Sequence, residues 1–201
     1  MGVVEDAVAA IQAGRPVVLP TDTVYGLCAT PYREDPVRRV YRLKGKPETE
    51  PGAILCSDVE MLFECVPELR GRAGVIARAL LPGPLTLVLG NPARRYRWLT
   101  GRSPEAIGVR VPELDGDAAE VLRRVGCVAA TSANLHGGSD PSALSDVPEE
   151  IRSACGAVVD GGELPGAPST VIDFTGPEPA VLREGAVRAA VALERALAAA
   201  G

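Results

Sequence analysis

Apolar and polar positions along the chain fall into short segments with two distinct periods. Val4, Val8 and Ile11 share one face at helical spacing, and Gly14 stands where a left-handed residue would end that helix. Pro16 and Pro20 enclose Val17-Val18-Leu19, which predicts a short buried strand. Asp35 and Pro36 read as the N-cap and first residue of a helix with the stripe Val37, Val40 and Tyr41, stopped at Lys44-Gly45-Lys46-Pro47. A strand follows over residues 53–56, and Ser57 with Glu60 has the capping-box spacing for the next helix. Strands are predicted at 85–89, 107–111, 127–131, 157–159, 170–174 and 180–182, a helix at 118–125, and an Ala-rich helix near the end.

Helices and strands interleave, which predicts an α/β fold with helices flanking the sheet. Several strands succeed each other without an intervening helix, so the sheet should be mixed. At 201 residues, with 46% hydrophobic and 23% charged side chains, the chain is expected to be a single domain over residues 1–201 rather than a disordered segment.

The charge balance of 21 basic and 26 acidic residues, net −5, excludes a general electrostatic attraction to nucleic acid or acidic lipid. Anionic partners would need a local basic pocket. A single histidine excludes sites built from several His ligands, and 3% aromatics speaks against a base-stacking platform. The cysteines at 28, 56, 65, 127 and 155 form no C-x-x-C pair, a pattern of reduced buried thiols in a cytoplasmic protein. The first residues carry acids and no long apolar run, and no stretch approaches the roughly 20 apolar residues of a membrane span.

P-loop, dinucleotide-binding and G-x-S-x-G patterns are all missing. Polar residues instead cluster where predicted strands end. Thr21-Asp22-Thr23-Val24-Tyr25-Gly26 leaves one strand and Thr131-Ser132-Ala133-Asn134 leaves another, the positions where open α/β sheets gather ligands. Lys44-Gly45-Lys46 sets two ammonium groups beside a glycine that admits close backbone approach. Strand alternation places Gly108 and Arg110 on one face, opposite Val109 and Val111. That arginine is either aimed into a cleft or held in a buried ion pair. Arg94, Arg95, Arg97 and Arg102, interleaved with Tyr96 and Trp98, read as a surface loop or as an RNA contact. His136 reads as a solvated loop residue.

Pro20-Thr21-Asp22-Thr23-Val24-Tyr25-Gly26-Leu27, Lys44-Gly45-Lys46-Pro47, Leu81-Pro82-Gly83-Pro84-Leu85-Thr86, Gly108-Val109-Arg110-Val111-Pro112, Thr131-Ser132-Ala133-Asn134, Pro168-Ser169-Thr170-Val171 and Val181-Leu182-Arg183-Glu184-Gly185 together resemble the YrdC family, in the family's order. The resemblance implies a twisted mixed sheet around a deep, positively lined cleft. It implies synthesis of threonylcarbamoyl-AMP and pyrophosphate from L-threonine, bicarbonate and ATP with Mg2+, for tRNA threonylcarbamoyladenosine modification by a downstream transferase. Position by position, Thr21 and Arg110 would hold threonine and its carboxylate, and Ser169 would line the threonine side. Lys44, Lys46, Thr131, Ser132, Asn134 and Arg183 would contact the ATP phosphates or adenylate, with Lys44 and Arg110 the catalytic pair and no resident metal.

The chain departs from the family pattern in one loop. Lys46 stands where Arg is usual, Glu50 where a polar or basic residue is usual, and Leu55 where a His is usual. Two other functions are therefore carried forward. One is a divergent paralogue hydrolysing a carbamoyl-adenylate. The other is a non-catalytic RNA-binding module using the cleft and residues 94–102, and a direct tRNA contact is carried forward with it.

Overall fold

The computed structural model describes residues 2–200. The chain begins with helix α1 (Val3–Gln12), then strands β1 (Val17–Leu19) and β2 (Gly26–Ala29), helix α2 (Glu34–Lys44) and strand β3 (Ala53–Cys56). Helices α3 (Val59–Cys65) and α4 (Gly71–Leu80) precede β4 (Leu85–Gly90), β5 (Ala106–Arg110), α5 (Gly116–Val125) and β6 (Cys127–Ser132). A short 3-10 turn at Leu144–Asp146 leads to α6 (Glu149–Ala154), β7 (Ala157–Val158), β8 (Thr170–Asp173), β9 (Ala180–Arg183) and α7 (Ala189–Ala200).

The strands form one nine-stranded sheet in the order β7-β1-β2-β6-β3-β5-β4-β8-β9. It is mixed, as expected: β1/β7, β3/β5 and β4/β8 run parallel, and the other neighbours are antiparallel. Among the described residues, no helix is long and apolar enough to cross a membrane.

The two sheet faces are covered unequally, and this creates the site. One face meets α2, α3, α4, α6 and α7 through Tyr41, Leu62, Leu80, Ile151 and Ala192, packed on Leu27, Ile54, Leu87, Val109 and Ile172. Burial of each large side chain there contributes about 1.5–3 kcal/mol. Among the described residues, the helices covering the other face are α1 and α5, through Ala7, Ala10, Ile11, Val121 and Leu122. Beyond those two helices, the same face of β3, β5, β4 and β8 is left as the wall of a cavity. Alternation along the strands divides the residues accordingly. In β4, Leu85, Leu87 and Leu89 enter the core, while Thr86 and Val88 face the cavity.

Two helix starts differ from the sequence expectation. Helix α2 is capped at Arg33 and already includes Glu34 and Asp35, so Pro36 lies inside the first turn. Proline is tolerated there because the first turn's N–H groups have no intrahelical partner. At α3 the cap is Asp58, which accepts from the Met61 N–H at 2.8 Å, while Ser57 donates to the Asp58 carboxylate. The cysteines are all free; four are buried and Cys155 is half-buried.

Candidate active site

A cavity of about 540 Å³ opens along the uncovered sheet face. Its wall collects Thr21, Lys46, Arg110, Thr131, Ser132, Ser169 and Arg183, seven of the nine residues expected from sequence. Lys44 and Asn134 are not on the wall.

Thr21 follows β1 in a tight turn that satisfies its own backbone. Its hydroxyl donates to Val24 O at 2.7 Å and accepts from the Thr23 and Val24 N–H groups at 3.2 Å each. Next to it, Asp22 forms an ion pair with Arg110, both side chains less than a tenth exposed. The Asp22 carboxylate also accepts from Glu113 N–H at 3.1 Å, and Arg110 Nη2 donates to Thr23 Oγ1 at 2.8 Å. Burial pushes the guanidinium pKa down and the Asp22 charge opposes that shift. Arg110 Nε is buried without a partner. The two sequence alternatives for Arg110 thus coexist: it lines the cavity and it is half of a buried ion pair. The β5 face expected for it is also correct, since Gly108 lies beside it on the cavity wall. A Cβ at Gly108 would stand 3.1 Å from Gly52 O, so a side chain there would crowd the adjoining strand entry.

Lys44 ends α2, where Gly45 takes the left-handed φ of 68° that turns the chain out of the helix. The Lys44 side chain runs under the turn after β6. Its Nζ lies 2.8 Å from Ser132 O, 3.3 Å from Ser132 Oγ, 2.8 Å from Asn134 O and 2.5 Å from Asn134 Oδ1. Burial lowers its pKa from the ordinary 10.5 to about 8, with Lys46 adding to the shift and Asp140 and Glu50 opposing it. Lys46 is the cavity-lining lysine of the pair. It donates to Pro51 O at 2.6 Å and lies 5.2 Å over the Tyr41 ring. Burial lowers its pKa too; Glu50 opposes that shift and the Arg183 charge adds to it.

On the far wall, Arg183 donates from Nε and Nη2 to Ser169 O at 3.0 and 2.8 Å, and from Nη2 to Ser169 Oγ at 3.1 Å. Ser169 Oγ is also 2.8 Å from Thr86 Oγ1.

Asp22 and Thr86 were not singled out in the sequence, nor were Asp140 and Asp173, which put carboxylates on the wall. The motifs Pro20–Leu27 and Leu81–Thr86 held a signal for Asp22 and Thr86, but neither pointed to the pairing of Asp22 with Arg110. Of the loop departures, Leu55 lines the cavity, but Glu50 does not, and its carboxylate faces His136 Nε2 at 3.6 Å. The basic run at 94–102 is folded around Asn91, whose Nδ2 donates to Arg95 O and Pro104 O at 2.9 Å. Tyr96 donates to Cys65 O and Trp98 Nε1 to Pro31 O, both rings packed against the core, and Arg95 pairs with Glu68. Both aromatics are partly buried by this packing.

The family model Sua5_yciO_yrdC, described as telomere recombination, matches residues 9–185. The threonylcarbamoyl-AMP synthase of Pyrococcus abyssi is 36% identical over 178 residues, covering 87% of this chain. The chain spans 52% of that relative's length. A putative threonylcarbamoyl-AMP synthase of Mycobacterium tuberculosis is 34% identical over 182 residues, covering 90% of this chain and 83% of its own. The crystal structure of P. abyssi Sua5 complexed with L-threonine superposes with a TM-score of 0.85 at 33% identity, over 98% of this chain and 57% of that one. The chain belongs to the Sua5/YciO/YrdC family.

Proposed function

We propose that the protein is an L-threonylcarbamoyladenylate synthase, a nucleotidyltransferase that converts L-threonine, bicarbonate and ATP to threonylcarbamoyl-AMP and pyrophosphate. The observation that carries this is the convergence of Lys46, Arg110 and Arg183 with the hydroxyls of Thr21, Thr86, Thr131, Ser132 and Ser169 on one cavity, in a chain of net charge −5. The names of the Pyrococcus and Mycobacterium relatives and the threonine complex of the former support it.

In this reaction the threonine amine and bicarbonate condense to a carbamate with loss of water. The carbamate oxygen then attacks the α-phosphorus of ATP, and pyrophosphate leaves. No protein nucleophile is required, so catalysis is positioning plus stabilisation of charge on the phosphoryl oxygens. Lys46 and Arg183 would face the phosphates, with Thr131 and Ser132 beside them. Thr21, Ser169 and the Asp22–Arg110 pair would hold threonine.

Among the described residues, no three His, Cys, Asp or Glu side chains come together to hold a metal, while Asp140 and Asp173 contribute carboxylates to the wall. Asp140 or Asp173 would be the carboxylates available to a Mg2+ carried on the triphosphate, an ion that would keep most of its waters and would supply charge neutralisation there. The product would pass to a transferase acting on tRNA. Incubation with ATP, Mg2+, bicarbonate and threonine should release pyrophosphate and the adenylate in equal amounts. Breakdown of added threonylcarbamoyl-AMP without any synthesis would establish the hydrolase instead.

A further inference from the structure

We propose that Lys44 is a positioning residue, whose ammonium shapes the turn from Ser132 to Asn134 and leaves the direct phosphate contact to Lys46. An ammonium has three protons to donate. Four oxygens of Ser132 and Asn134 already lie within 3.3 Å of Lys44 Nζ. A phosphate oxygen would have to displace one of them, and the side chain is buried and absent from the cavity wall. Lys46 has one protein acceptor, Pro51 O, and does line the cavity.

The turn that Lys44 holds is built from mutually dependent contacts. Ser132 Oγ donates to Asn134 Oδ1 at 2.6 Å, and Asn134 Nδ2 donates to Gly138 O at 2.6 Å. Lys44 also grips the segment through its backbone, its carbonyl accepting from His136 N–H at 2.8 Å. Two of the four Nζ acceptors are the backbone carbonyls of Ser132 and Asn134, so the ammonium holds both turned inward. With those carbonyls turned in, the Thr131 and Ser132 side chains are presented on the cavity wall at the end of β6. Lys44 therefore acts on a ligand through the turn. This deepens the synthase reading and rests on it for the identity of the ligand, but the shaping of the turn is a property of the free protein.

The experiment uses Lys44→Met, which keeps the aliphatic stem and removes the charge, together with Asn134→Ala and the double variant. Thermal unfolding first verifies that each is folded; Lys44→Gln replaces Lys44→Met if it is not. Amide hydrogen exchange of residues 133–138 is measured without ligand, and ATP and AMP affinities are measured by calorimetry. Positioning predicts exchange faster by about tenfold or more in Lys44→Met. ATP and AMP should weaken by the same factor, and the double variant should be no worse than the weaker single variant. Unchanged exchange, or an ATP loss that exceeds the AMP loss by about tenfold and adds to that of Asn134→Ala, would make Lys44 a direct phosphate ligand and overturn the proposal. Wild-type protein that binds no ATP would sink the synthase reading instead, and the exchange measurement alone would then decide the role of Lys44.

Discussion

Asp22→Ala should be among the most damaging single changes in the protein, and its cost follows from the geometry. Its partner Arg110 is 7% exposed, and the Arg110 Nε already lacks an acceptor. Removing the Asp22 carboxylate leaves a buried cation whose one remaining neighbour of note is Thr23 Oγ1 at 2.8 Å. It also strips the Glu113 N–H of its carboxylate acceptor. Breaking one side of a buried pair costs about 3–5 kcal/mol, because the surviving charge stays desolvated. For a domain of this size, that converts to a fall in Tm of roughly 6–20 °C. Urea unfolding followed by circular dichroism measures it, with an unchanged slope showing that the unfolded state is not altered. Replacing both partners by apolar residues, Asp22→Leu with Arg110→Met, should recover most of the loss if the charge is the cause. A loss below about 1 kcal/mol for Asp22→Ala, in the range of exposed pairs, would refute the reasoning and mean that cavity water solvates Arg110.

Three further outcomes are expected. Lys46→Arg should tighten ATP binding several-fold in calorimetry, because it restores a planar two-pronged grip on phosphate at a cavity position; weaker binding would place the phosphates elsewhere. Gly185→Ala should cost about 2 kcal/mol or more in urea unfolding, since its Cβ would stand 2.1 Å from Pro168 O and 2.7 Å from Ser169 C, both backbone atoms. For Lys44 the folded pKa of about 8 lies below the ordinary 10.5, so between those values the unfolded chain binds the extra proton and the group's contribution to stability rises with pH. Turnover should fall over the same window as the ammonium loses a donor, with Lys46, Asp140 and Glu50 the charged neighbours that set its position; parallel stability profiles for wild type and Lys44→Met across about pH 7–10 would contradict this.

Long apolar segments and the strand-end polar clusters were legible in the sequence because each is a local pattern. Strand β2 was not. Gly26-Leu27-Cys28-Ala29 has little intrinsic preference for extended structure, and it is a strand because β1 and β6 pair with it on both sides. Helix α4 escaped for a related reason. Its buried stripe of Gly74, Ile76, Ala77 and Leu80 holds only two large apolar side chains, the exposed Val75 blurs its period, and α7 covers it with alanines. The cavity residues divide in the same way. Lys44-Gly45-Lys46 announced two cations, but which of them faces the cavity depends on a turn some 90 residues away. Asp22 is tied to Arg110 at a separation of 88 residues, and no local spacing could report that pair.

On the synthase reading, the way the cations are held also bears on where each substrate would sit. Lys44, Lys46 and Arg183 are fixed mainly by neutral oxygens: Ser132 O and Asn134 O, Pro51 O, and Ser169 O with its hydroxyl. Carbonyl acceptors orient a cation without cancelling its charge, so this part of the cavity keeps a positive field despite the acidic chain. Arg110 differs, because Asp22 neutralises it almost in contact. Both protons of its Nη2 are directed at Asp22 and Thr23, and both two-pronged edges of a guanidinium use that nitrogen. Arg110 therefore has no free fork to offer a carboxylate while the pair is intact. On the synthase reading, a highly charged triphosphate would suit the Lys46 and Arg183 side, where the side-chain nitrogens donate to carbonyl and hydroxyl oxygens and to no carboxylate. Threonine carries one positive and one negative group and no net charge. It would suit the Asp22–Arg110 end, where the protein too presents both signs and no net charge.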